Sequence, residues 1–225
     1  MILFKIISII TLQIMLSSKN LSILIQKRIP GLSSAMLSVT LSRILTPFSG
    51  YSDLLKTFND RKNLYKVTPP AEVAAVLNKR FQFTDESDQF FTILYGIFNL
   101  KRETFRYISE GHPGFVYADS GGKLHEPDLK GFPIGFTENP VYDEHVIRVE
   151  RGSRFFFFSD GLTELNNLLG QPLGTRGIKE IIEKALKIKT ENVPEFLVRE
   201  AKKRTGTKKA MDDISCVAIE ISGET

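Results

Sequence analysis

The sequence predicts an α+β fold built on antiparallel sheets, and three observations predict it. Phe155-Phe156-Phe157-Phe158 is an unbroken aromatic run, which only a strand covered on both faces can hide. Residues 90–100 and 104–109 are two strand-like runs joined by the polar turn Lys101-Arg102-Glu103, a hairpin signature. Residues 178–188 and 194–204 carry the apolar spacing of amphipathic helices. Grouped strands with a helix pair behind them indicate layered α+β architecture.

Each element follows in chain order. Met1 to Leu16 is mostly apolar, broken by Lys5, Ser8, Thr11 and Gln13. It is short for a membrane span, which needs about 20 apolar residues. Ser17 and Ser18 after an apolar stretch resemble the end of a signal peptide, but the isoleucine-rich composition fits strands. Core strands are the reading adopted, with Asn20 to Ile25 as one of them. A helix is expected over 33–45, capped by Ser33 or Ser34, with Met36, Val39, Leu41 and Ile44 at helical spacing and Pro47 ending it. Residues 48–68 contain Asp53, Asn59, Asp60 and Asn63 between Pro47 and Pro69. They read as a mobile surface loop, with room for a short helix. Pro69-Pro70 opens a helix to about Phe81, with Val73, Val76 and Leu77 on its apolar face. Further strands are expected at 114–118, 145–150 and 154–159, the last two joined at Arg151-Gly152-Ser153. A C-terminal strand runs within 211–221.

Three segments carry the candidate chemistry. Asp160-Gly161 ends the aromatic strand, fixing a carboxylate at the mouth of a rigid sheet while Gly161 lets the backbone turn away. Such carboxylates suit hard cations such as Mg or Mn; the same pair is also an ordinary turn. Asp212 and Asp213 stand at the entrance of the C-terminal strand, where adjacent acids repel unless a cation, a basic partner or solvent relieves them. His112 lies in the stiff turn Gly111-His112-Pro113, as a ligand, a proton-transfer group or a turn residue bonded to backbone.

These segments, in this order, resemble the PPM-type metal-dependent protein serine/threonine phosphatases, in the branch of stage II sporulation protein E and the sigma-B regulator phosphatases. Gly31-Leu32-Ser33-Ser34-Ala35-Met36-Leu37, Phe91-Thr92-Ile93-Leu94-Tyr95-Gly96 and Gly131-Phe132-Pro133-Ile134-Gly135 support it. The resemblance implies an antiparallel β-sandwich flanked by helices. It divides the chain into an atypical segment over 1–30 (degenerate or incomplete first strands, or a targeting segment) and a phosphatase-like domain over 31–225. It implies hydrolysis of phosphoserine or phosphothreonine by water activated at two Mn or Mg ions. Asp160 and Asp212 match metal-binding, catalytic positions of the family. Gly161, His112 and Asp213 match neighbours of the site, and Glu110 stands where the family usually has Ala.

The departure lies at the N-terminus. Anchored on Gly31-Leu32-Ser33-Ser34-Ala35-Met36, the family's bridging Asp falls at Gln26, followed by Lys27 and Arg28, and no Gly-Gly-Asp lies upstream. A neutral amide beside basic residues is a poor host for divalent cations. The chain therefore reads as a truncated, frame-disrupted or degenerate copy, either an impaired phosphatase or an inactive pseudophosphatase acting as a binding module.

Composition is that of a globular domain: 42% hydrophobic and 25% charged residues leave enough apolar material for one substantial core. The net charge of +4 is modest, and Lys202-Lys203-Arg204 with Lys208-Lys209 has no accompanying nucleic-acid motif. This basic cluster is a solvated helix end, or draws an acidic, phosphorylated partner. Cys216 is the single cysteine, so neither an internal disulfide nor a zinc cluster is expected. The expected setting is cytoplasmic signal transduction, with a phosphorylated regulatory protein of the anti-sigma-factor-antagonist kind as partner and no nucleic acid. A membrane enters only if the N-terminal segment is a targeting signal.

Overall fold

The computed structural model describes residues 2–7, 13–17, 20–27, 40–41, 44–45, 54–59, 64–82, 90–129, 131–206 and 214–222. The elements in order are β1 (Ile2–Ile7), β2 (Gln13–Ser17), β3 (Asn20–Lys27), β4 (Lys56–Asn59), β5 (Leu64–Val67), α1 (Pro70–Arg80), β6 (Thr92–Asn99), β7 (Thr104–Glu110), β8 (Phe115–Ala118), β9 (Leu124–His125), β10 (His145–Arg148), β11 (Arg154–Phe158), α2 (Asp160–Thr163), α3 (Gly174–Ala185), α4 (Val193–Thr205) and β12 (Cys216–Ile221). The fold is α+β and every strand pair is antiparallel. Two compact units form, each with its own five-stranded sheet.

The first unit carries the sheet ordered β1-β12-β11-β8-β9. β11 sits between β12 and β8, and all four phenylalanines are fully buried. Alternation sends Phe156 and Phe158 into one cluster with Val116, Cys216 and Ala218, beneath Ile178, Ile182, Val193 and Leu197 of α3 and α4. Phe155 and Phe157 take the other face, where Phe155 stacks on Tyr117 at 5.3 Å. Burial pushes the Cys216 thiol up to about 12, so it packs as a small apolar side chain. Arg154 opens β11 and is buried. Its Nη1 donates to the carbonyls of Ala185 and Leu186, and its Nη2 to that of Ile188, which closes the C-terminal end of α3. β1 pairs with β12 from Ile2↔Ile221 to Ile7↔Cys216.

The second unit carries the sheet ordered β10-β7-β6-β3-β2. β3 pairs along its whole length with β6, from Asn20↔Asn99 to Lys27↔Thr92. Ile93, Tyr95 and Ile97 face a core made with Val73, Ala74 and Leu77 of α1 and with Leu41, Leu45, Leu54 and Leu55. On the other face Phe98 stacks on Phe105 at 4.0 Å, and Phe105 on Tyr107 at 4.9 Å. A Cβ at Gly96 would lie 2.3 Å from the Phe105 ring; the glycine makes room for that stack.

Three expectations need correction. Residues 56–59 and 64–67 form a hairpin, not a loop, and the preceding Leu54 and Leu55 are buried in the core. Asn59, one of the polar residues that suggested a loop, ends β4, while Leu54 and Leu55 anchor the hairpin's base. α3 begins at Gly174, four residues before the expected start, because the polar Gly174-Thr175-Arg176-Gly177 turn masks the helical period. Gly161 is not a turn glycine: Asp160–Thr163 is one helical turn, and Gly161 is not among the glycines with positive φ. The helix expected over 33–45 is described only at 40–41 and 44–45, where Leu45 N–H donates to Leu41 C=O at 2.8 Å. Among the described residues, no helix is long and apolar enough to cross a membrane.

Candidate functional site

Asp160 is placed by the end of β11. Phe158 pairs with Cys216, and two hydrogen bonds extend the pairing past the strand. Ser159 N–H donates to Ser215 C=O at 2.9 Å, and Ser215 N–H donates to Ser159 Oγ at 2.9 Å. Ser159 is extended (φ −79°, ψ 163°) and the chain then turns directly into α2. Asp160 C=O accepts from Glu164 N–H at 2.7 Å and from Thr163 Oγ1 at 3.0 Å. The Asp160 side chain is half-buried on this fixed turn. Asp212 and Asp213 precede Ser215 in the chain and lie outside the described residues, as does their expected approach to Asp160.

His112 and Glu110 belong to the other unit. Gly111 takes the left-handed conformation (φ 67°) and donates its N–H to Gly131 C=O at 3.0 Å. Ser109 Oγ donates to the carbonyl of His112 at 3.4 Å, so the turn reading of this residue has a structural basis. Burial lowers the His112 imidazole to about 3, which keeps it neutral at physiological pH. Glu110 is 6% exposed. Burial first, and the nearby Asp143 second, raise its carboxyl to about 8. Tyr142 is raised by burial and by Glu110. A Cβ at Gly131 would lie 2.0 Å from Glu110 Oε2; only glycine lets the segment after residue 130 lie against this carboxyl.

The Gly131–Gly135 segment is pinned by groups that sequence reasoning missed. Ile134 and Phe91 exchange backbone hydrogen bonds at 2.8 and 3.1 Å. Asn78, buried on α1, accepts from Gly135 N–H at 2.7 Å and donates from Nδ2 to Thr137 C=O at 2.8 Å. The signal for Asn78 is a polar residue at a position spaced with the buried Ala74 on the same helix. A cleft of about 630 Å³ lies beside it, lined in part by Lys79, Gln82, Glu138 and Tyr142; it contains none of the predicted site residues.

Of the carboxylates matched to the metal centre, Asp160 lies among the described residues and Asp212 and Asp213 do not. No group of three or more His, Cys, Asp or Glu is arranged to hold a metal ion. Asp160 is the one described carboxylate from the family pattern. Gln26, at the position matched to the bridging Asp, is paired with Ile93 in the backbone ladder of β3 and β6.

Comparison with known proteins gives a consistent picture. The family model for stage II sporulation protein E matches residues 31–222. Phosphoserine phosphatase RsbU of Bacillus subtilis is 27% identical over 134 residues, covering 58% of this chain and 40% of RsbU. The chain thus spans well under half of that relative. The PP2C phosphatase domain of SpoIIE from Bacillus subtilis, solved with a fragment of its regulatory domain, superposes with a TM-score of 0.77 at 13% identity. That match covers 100% of this chain and 65% of the other. The catalytic domain of serine threonine protein phosphatase PstP, solved with 2 manganese ions, gives 0.61 at 14% identity, with 99% of each chain covered. At these identities the solved structures establish the PP2C fold.

Proposed function

We propose that this chain, which belongs to the stage II sporulation protein E family, is a protein phosphatase domain of impaired activity. Its substrate class would be phosphoserine or phosphothreonine on a bacterial regulatory protein of the anti-sigma-factor-antagonist type. The observation that carries the reading is the Ser159–Ser215 pairing, which fixes Asp160 at the end of a fully buried strand next to the strand that follows Asp212. A carboxylate on so rigid a mount keeps its geometry as charge changes nearby. Asp160 and Asp212 are the pair proposed to hold Mn or Mg, with Gly161 and Asp213 as neighbours. A bound divalent ion supplies a Lewis acid and lowers the pKa of its water.

The second reading is a pseudophosphatase that binds a phosphoprotein without turning it over. Gln26 at the position matched to the bridging Asp favours it.

Phosphate release from a phosphoserine peptide in Mn, with calorimetric titration of the same sample, separates the readings. Weak Mn-dependent turnover, lost in Asp160→Asn along with Mn binding, supports the impaired enzyme. No turnover with retained phosphopeptide binding supports the pseudophosphatase. Turnover that survives Asp160→Asn removes the assigned site.

A further inference from the structure

Between α2 and α3 the chain makes a tight turn that exposes two adjacent leucines. Leu168 is 93% and Leu169 82% exposed, which sets two large apolar side chains side by side in solvent. The turn is not loose. Asn167 N–H donates to Gln171 C=O, and Gly170 N–H donates to Asn167 C=O, both at 2.9 Å. Asn167 Oδ1 accepts from Leu169 N–H at 2.9 Å and from Gln171 N–H at 3.0 Å, and its Nδ2 donates to Gln171 Oε1 at 3.1 Å. The Asn166↔Pro172 bridge closes the base. The backbone donors of Asn167, Leu169, Gly170 and Gln171 are therefore satisfied within the turn itself.

The surroundings are basic. A Cβ at Gly206 would lie 3.8 Å from Leu168 Cγ, so Leu168 lies against the end of α4, whose last turn is Lys202-Lys203-Arg204. Arg176 and Arg204 line a hollow shared with Asn167 and Gln171, and the Arg176 side chain is 95% exposed. Glu180 answers part of this charge through Arg176 and Arg204, and Glu164 is exposed nearby in the chain. The exposed cations Arg176, Lys203 and Arg204 outnumber Glu164 and Glu180 around the turn.

We propose that the Asn167–Gln171 turn binds a membrane surface rich in anionic lipid. Leu168 and Leu169 enter the boundary between headgroups and acyl chains, and Arg176, Lys203 and Arg204 meet the headgroup phosphates. Two leucines supply shallow, reversible insertion, and the basic face supplies the second attraction that such weak anchors need. A convex, rigid apolar tip also suits a soft medium better than a preformed protein pocket, which is why lipid is favoured over an acidic protein surface or a second copy of the chain.

The chain contains no tryptophan, so Leu169→Trp places a single reporter at the tip. Vesicles of phosphatidylcholine with about 30% phosphatidylserine are expected to shift its emission to the blue and to sediment the wild-type chain, while pure phosphatidylcholine does neither. Raising salt to about 0.5 M should weaken binding several-fold. Leu168→Asp with Leu169→Asp should weaken it at least about tenfold with an unchanged unfolding midpoint, as should Lys203→Glu with Arg176→Glu. No association of the wild-type chain with the anionic vesicles overturns the proposal. So does binding that the double Asp variant retains. A lipid-free dimer that the double Asp variant abolishes, or an unshifted reporter on vesicles that do sediment the chain, assigns the leucines to protein contact and overturns it too.

Discussion

Ser159 and Ser215 hold each other through two hydrogen bonds of 2.9 Å, one of them to the Ser159 hydroxyl. Both are almost fully buried, at 2% and 3% exposure. The hydroxyl thus does the work of a strand carbonyl one step beyond the end of β11, and it sets the point at which the chain leaves the sheet to present Asp160. Ser159→Ala leaves the Ser215 N–H buried without this acceptor. The expected cost is about 1–3 kcal/mol of stability by denaturant titration, together with weaker Mn binding than wild type. An unchanged midpoint and unchanged affinity would show that the pair does not position Asp160.

Arg154 is a buried guanidinium closing a helix end. Its donors reach the carbonyls of Ala185, Leu186 and Ile188, and its Nε lies 4.0 Å from Glu220 Oε2. Burial lowers its pKa and Glu220 opposes that shift. Arg154→Met is expected to cost about 2–4 kcal/mol, since it strands several carbonyls at once. Arg154→Lys should recover little, because one ammonium cannot span the same fork of acceptors. Equal stability of the Lys variant and wild type would contradict the multidentate role.

Much of this was legible in the sequence because the informative residues are those with few alternatives. Four consecutive phenylalanines have nowhere to go but the middle of a covered sheet, and β11 is there. The β6–β7 hairpin and α1 followed from a polar turn and a Pro-Pro start. The β4–β5 hairpin was hidden because its strands are four residues each, too short for alternation to stand out from a polar background. Arg154 carried no signal of its structural role, and Asn78 was legible only as a polar residue at helical spacing from Ala74. Their partners lie 31 to 34 and 57 to 59 positions away, and no local pattern carries that information. The motif residues around Asp160 could be recognised, but the motif says nothing of the Ser215 contact that seats them.

Glu110 gives the fold a pH dependence of defined sign. Its carboxyl is raised from 4.5 to about 8 by burial and then by Asp143, so the folded chain binds a proton that the unfolded chain has released. Its contribution to native stability is therefore full below about pH 4.5 and is lost as pH rises to about 8. Tyr142 and Asp143 are the titratable neighbours; the carboxylate of Asp143 deepens the effect. Glu110→Gln keeps the shape of the neutral carboxyl and removes the titration. The difference in unfolding free energy between the variant and wild type is expected to grow in the variant's favour from pH 5 to pH 8. A difference that stays constant over that range would mean Glu110 is not protonated in the folded chain.

The last prediction concerns the bridging position. Gln26 lies in β3, where the ladder pairs it with Ile93, and the family resemblance matches it to the carboxylate shared by two ions. An amide there offers one neutral oxygen, while Lys27 and Arg28 add positive charge next to it in the chain. A divalent cation approaching that end of the strand is expected to meet the repulsion of Lys27 and Arg28. Asp160 and Asp212 would then hold one ion weakly, without the second half of the clamp that stabilises attacking and leaving oxygens. Gln26→Asp with Lys27→Gln and Arg28→Gln changes the local charge by three units in the favourable direction without altering the strand's length. It is expected to tighten Mn binding and to raise Mn-dependent phosphate release by about tenfold or more, equivalent to about 1.4 kcal/mol of barrier. The unfolding midpoint, measured alongside, separates a gain in catalysis from a change in folding. Turnover by the unmodified chain at the level of the triple variant would show that Gln26 is no obstacle, and would leave the plain phosphatase reading in force.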